Sequence, residues 1–190
     1  MISDDTEHTL MVAQSLLKHP DDAAAFARSL AWRLRWWFLG LPAGVGLATA
    51  RACLKLWLGF PPQRSGVHSA GNGPAMRSAL LGAYFFDDQD DIERFVAAST
   101  RLTHTDPRAL TGAMAVARLA AWAVQHDAAE SRSAEFVTDL LTKLAPADGE
   151  WGELAGKMLA AWARRDSVAA FADSLGLGRG VTGYVYHTVP

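Results

Sequence analysis

Close to its start the chain sets Ser3, Asp4, Asp5 and Thr6 side by side. Two neighbouring carboxylates flanked by hydroxyls are hard oxygen donors of the kind that Mg²⁺ or Mn²⁺ prefers. Carboxylates held this close repel one another unless a cation neutralises them. The same residue types are also the ordinary caps of a helix N-terminus. On these residues alone, a cap is the simpler reading and half of a metal site the sharper one.

Two further stretches have the composition of a binding site. In "SAGNGPAMR", residues 69–77, Gly71 and Gly73 allow a backbone to approach a ligand closely, and Pro74 is placed to launch a helix. Amides at such a helix start would cradle a phosphate, with Asn72 adding a side-chain donor and acceptor. No Lys-Ser/Thr pair follows the glycines, so this is not a P-loop, and a plain tight turn fits equally well. In "THTDP", residues 103–107, His104 precedes the cap Asp106 and Pro107, and a histidine bonded to nearby backbone explains it as well as a ligand contact does.

Other chemistries find no support. The chain has no nucleophile elbow, CxxC cluster or HExxH. The acidic run Asp87, Asp88, Asp90 and Asp91 reads as a solvated helix start, and His8, His19, His68, His126 and His187 are too scattered to argue for zinc.

The elements that must position these stretches are nearly all helical, so the fold class is all-α. A helix over Thr9–His19 follows the Asp pair, with Glu7 placed to answer Asp4 in a capping box. Phe26, Leu30, Leu34 and Trp37 form one apolar stripe on the next helix. The uncharged segment "WWFLGLPAGVGLATA", residues 36–50, is too short and too broken by Pro42 and glycines for a membrane span. It reads as a buried helix–loop–helix junction, with a ligand-lining loop as the alternative. "LATARACLKLWLG" resumes the helix, "FPPQRSGVHSAGNGP" is a loop, and "AMRSALLGAYFF" is a central helix. Helices then start at "DDQDD" and at Asp106-Pro107, the second running to about Gln125. Three more are expected over Ser133–Leu144, Trp151–Arg164 and Ser167–Leu175, the last closed by Gly176. The run "GYVYHTV" is the one strand-like stretch. Trp32, Trp36, Trp57, Trp122 and Trp162 fall within helical apolar patterns and are expected in the core.

The chain has 190 residues, 18 basic and 20 acidic, and a net charge of −2, which argues against a nucleic-acid partner. The lone Cys53 excludes an internal disulfide. With no basic-then-apolar leader at its start, the expected location is cytoplasmic, with no membrane partner. The oligomeric state is left open.

In order, "SDDTEHTLMVAQSLL", "SAGNGPAMRSALLGAYF", "STRLTHTDPRALTGAMAVARLAAW" and "GVTGYVYHTVP" resemble the ADP-ribosylglycohydrolase family, which includes the dinitrogenase-reductase-activating glycohydrolases. The resemblance implies a multi-helix orthogonal bundle and a binuclear Mg²⁺ or Mn²⁺ centre. It implies hydrolysis of the N- or O-glycosidic bond between ADP-ribose and an acceptor, so that ADP-ribose or an ADP-ribosylated protein is the partner. Matched by motif, Ser3, Asp4 and Asp5 would be metal ligands, with Asp4 and Asp5 catalytic. Ser69, Gly71, Asn72, Gly73, His104 and Tyr184 would bind substrate.

The family's second metal motif, of Asp-x-Asp-Thr type, does not occur in these 190 residues. Residues 1–190 are therefore expected to be a single domain of this family that lacks its N- and C-terminal segments. With half the metal shell present, weak or absent hydrolysis is expected; a non-catalytic ADP-ribose-binding module or a remnant fold is the alternative.

Overall fold

The computed structural model describes residues 3–42, 44–126, 138–139, 142–143 and 149–190. Among them the chain is all-α, with ten α-helices, one 3-10 turn and no strand. In order these are α1 (Asp4–Lys18), α2 (Ala23–Leu39), α3 (Leu47–Trp57), α4 (Pro62–Ser65) and α5 (Ala79–Tyr84). They continue with α6 (Gln89–Arg101), α7 (Pro107–Gln125), α8 (Gly149–Arg164), α9 (Val168–Ser174) and α10 (Val185–Thr188). Of the helix expected over Ser133–Leu144, residues 138–139 and 142–143 are described and are helical; the rest lies outside the described residues.

The caps set the helix starts. Asp22, Asp88, Asp106 and Ser167 each accept a backbone amide from the first turn of the helix they open. With Pro107 at its first position, α7 starts and ends where its sequence signals place it. The first helix differs. Ser3, not Asp4, is its cap, so α1 begins five residues before Thr9 and carries both carboxylates on its first turn. Glu7 makes no capping box; it accepts the indole N–H of Trp37 at 2.6 Å.

One core runs through the described helices. Val12 and Leu16 of α1, Phe26, Leu30 and Leu34 of α2, and Ile92, Phe95 and Val96 of α6 are buried in it. On α7 the row Ala109, Ala113, Ala117 and Ala121 recurs every four residues and is fully covered. These small side chains let α5 approach so closely that a β-carbon on Gly82 would lie 1.8 Å from the Ala117 carbonyl oxygen.

Four expectations are corrected by the packing. Trp32, Trp36, Trp57 and Trp162 are 39–55% exposed; the indole contacts of the first three run among themselves and with Arg35 rather than into the core. Their periodicity marked helices, but a helix of α2's hydrophobicity has more apolar residues than one buried face can hold. The 36–50 segment is a helix–loop–helix junction but not a buried one: Trp36, Leu39, Leu41 and Leu47 are exposed. The helix expected after Pro74 opens as a three-residue 3-10 turn, Ala75–Arg77, before α5. "GYVYHTV" forms no strand; it folds into the single turn α10, which packs on α7.

Candidate active site

The three sequence stretches meet. Asp4 and His8 on α1, Trp37 on α2, the 44–49 junction, the Ser69–Gly73 loop and His104 line one cleft of about 370 Å³, with Gly183 at its edge. The junction thus lines the cleft, rather than being buried beneath it. A wider depression of about 660 Å³, lined by Asp22, Arg94 and Arg101 among others, holds none of the expected residues.

Backbone pairing holds the loop from both sides. Val67 pairs with the His104 segment, its N–H donating to the Thr103 carbonyl at 3.1 Å and its carbonyl accepting from Thr105 at 2.9 Å. Gly71 pairs with Tyr184 through Asn72 N–H to the Gly183 carbonyl at 3.0 Å and Val185 N–H to the Ala70 carbonyl at 2.9 Å. The amide of Gly71 also donates to Ser69 Oγ at 3.3 Å. Two of the loop's amides are thus consumed internally, and the segment after Pro74 is a 3-10 turn. The glycines make room for His104: β-carbons at Gly71 and Gly73 would stand 2.9 Å from its Nε2 and 3.1 Å from its Cε1.

Behind the cleft sits Arg77, the last residue of the "SAGNGPAMR" stretch, whose burial the sequence did not show. Arg77 is wholly buried, and no carboxylate pairs with it among the described residues. It donates to Ser99 Oγ at 3.0 Å, to the Ser99 carbonyl at 2.8 Å, to Thr103 Oγ1 at 2.8 Å and to His8 Nδ1 at 3.3 Å. Thr103 Oγ1 in turn lies 2.9 Å from His104 Nδ1. Burial first, and the Arg77 charge second, push both His8 and His104 down to about 3, so both rings are neutral at pH 7. Burial lowers Arg77 itself to about 10, which leaves it charged. His8 was one of several scattered histidines in the sequence. Its spacing of four from Asp4, which puts both on one helical face, was the available signal.

The remaining expected residues lie apart from this centre. Ser3 Oγ is 3.2 Å from Thr6 Oγ1 and accepts the Thr6 amide, while Asp5 is exposed and does not line the cleft. Tyr184 reaches the site through its backbone. Its hydroxyl donates to Glu150 on α8, and Arg108 stacks over its ring at 5.6 Å. Burial and the adjacent Glu150 carboxylate raise that phenol to about 12. Arg108 also clamps the buried Asp106 with bonds of 3.0 and 2.8 Å, which holds the Asp106 carboxyl below its usual range.

A match of all 190 residues to the family model of the ADP-ribosylglycohydrolases decides the kinship. The chain belongs to the ADP-ribosylglycohydrolase family. It is also 34% identical over 116 residues, 60% of its length, to an uncharacterized protein of Archaeoglobus fulgidus. That alignment takes in only 37% of the archaeal protein. ADP-ribosylglycohydrolases are generally metal-dependent. Among the described residues of this one, no group of three His, Cys, Asp or Glu side chains converges as a metal shell. Nor is any described helix long and apolar enough to cross a membrane.

Proposed function

We propose that the cleft takes the ADP-ribosyl portion of ADP-ribose or of an ADP-ribosylated protein, as the substrate side of a glycosidic-bond hydrolase. The supporting observation is convergence: Asp4, the Ser69–Gly73 loop and His104 come from separate parts of the chain and line one cavity. In this reading the Gly71–Gly73 backbone admits the sugar-phosphate closely and Asn72 supplies one donor and one acceptor. The neutral His104 donates to a ribose oxygen. The Asp4 carboxylate stabilises the positive charge that grows on the anomeric carbon as its bond to the acceptor breaks. Binding of the remote phosphates orients that carbon.

Ser3, Asp4 and Asp5 are the residues that, on the family's pattern, would hold a divalent cation; of these Asp4 lines the cleft, while Ser3 caps α1 and Asp5 lies outside the cleft lining. When bound, such a cation would fix ribose hydroxyls and acidify a water. Three oxygen donors on one helical turn fit part of a binuclear centre and not the whole of it. The 190-residue chain is therefore expected to bind ADP-ribose and to hydrolyse little or none, which is the behaviour of a binding module.

Calorimetry with ADP-ribose, with and without Mg²⁺, tests the first half of this reading, and incubation with ADP-ribosylated arginine and serine peptides the second. Micromolar binding without turnover is the expected pair of results. Absence of any heat would overturn the cleft assignment, and rapid Mg²⁺-dependent turnover would overturn the expectation of weak catalysis.

A further inference from the structure

The guanidinium of Arg77 has hydrogens to give and no lone pair to accept with. Its 3.3 Å approach to His8 Nδ1 therefore makes that nitrogen an acceptor, and the proton of the neutral ring sits on Nε2. The Nε2 atom is buried, has no hydrogen-bond partner among the described residues, and belongs to a side chain that is 1% exposed and lines the cleft. Thr103 carries the same logic one step further. Its oxygen accepts from Arg77, and among the described residues the partner left for its single hydrogen is His104 Nδ1. Pairing that buried hydrogen makes Nδ1 the acceptor here too, which puts the proton of His104 on Nε2, on the ring edge that faces Gly71 and Gly73.

We propose that Arg77 is a positioning residue that locks His8 and His104 in one tautomer, so that the cleft presents two imidazole N–H donors to the oxygens of a hydroxylated or anionic ligand. His8 is the residue this adds to the site. The buried charge, which has no carboxylate to answer it, reaches the cleft as polarisation of two neutral rings. In this state neither ring offers the cleft a bare nitrogen to serve as a base or as a metal ligand. Trp37 keeps His8 in register, its ring meeting the imidazole edge-on at 4.5 Å while its indole N–H is tied to Glu7. The identity of the ligand rests on the reading of the cleft given above; the tautomers do not.

Nitrogen-15 NMR of the histidine-labelled full chain at neutral pH reads the tautomers directly. The expected spectrum has both His8 and His104 protonated at Nε2 and bare at Nδ1. Thr103→Val, close in shape to threonine, should release His104 to a mixture of tautomers and leave His8 unchanged; Thr103→Ser should restore the lock. A proton on Nδ1 of either ring in the unaltered protein overturns the proposal, as does a His104 signal indifferent to Thr103→Val. Added ADP-ribose should shift both Nε2–H resonances, and Thr103→Val should weaken its binding roughly tenfold, with rescue by serine. Binding measurable by calorimetry with both resonances unmoved overturns the donor role. No heat at all overturns the choice of ADP-ribose as ligand, and with it the cleft reading, while the tautomer result stands on its own spectrum.

Discussion

Gly71 lies so close to the imidazole of His104 that a β-carbon on it would stand 2.9 Å from Nε2. His104 has no room to retreat, because its other nitrogen is held by Thr103 and the ring is buried. The two residues are 33 positions apart in the chain, and the Val67–His104 bridge brings them together. Gly71→Ala should therefore push either the loop or the ring out of place while leaving the helices intact. ADP-ribose affinity should fall roughly tenfold, about 1.4 kcal/mol, with an unchanged far-ultraviolet circular dichroism spectrum. Undiminished affinity would show that the loop and the histidine do not act on a common ligand.

Gly82 makes the opposite kind of contact, one that concerns stability and not binding. Its β-carbon would collide with backbone of α7, which cannot swing aside as a side chain would. Gly82→Ala should cost about 3 kcal/mol or more, since overpacking of a rigid contact lies at the upper end of its usual range. Urea denaturation measures this, and a midpoint equal to that of the unaltered chain would contradict the α5–α7 packing.

The two buried histidines give stability a dependence on pH. In the fold both titrate near 3, whereas in the unfolded chain a histidine titrates near 6.5. A depressed histidine favours folding wherever its unfolded counterpart is neutral too. Their contribution is thus fully present above about pH 6.5 and is lost as pH falls from there towards about 3. By pH 5 each histidine should have withdrawn about 2 kcal/mol. Denaturation midpoints compared at about pH 7.5 and pH 5 test this, and equal midpoints would mean that both rings are solvated.

The helical class of this protein and most of its helix starts were legible in the sequence, and the reason is local. A cap such as Asp106 followed by Pro107, or an apolar stripe such as Phe26, Leu30 and Leu34, acts within one or two turns of its own helix. The motif residues Asp4, Asn72 and His104 were also visible as types, although what they share was not. Burial was misread where a helix has more apolar residues than neighbours, as with Trp32, Trp36 and Trp57. The strand-like run "GYVYHTV", residues 183–189, was misread because a strand needs a partner along its length, and among the described residues Gly71 alone pairs with it.

What the chain settled by itself, then, is which segments coil and which residues are equipped for chemistry, because both depend on neighbours a few positions away. What only the tertiary structure decided is the proton on each imidazole. Arg77 contacts His8 across 69 positions and Thr103 across 26, and a tautomer is chosen by whichever donor arrives at Nδ1. No local pattern encodes that arrival.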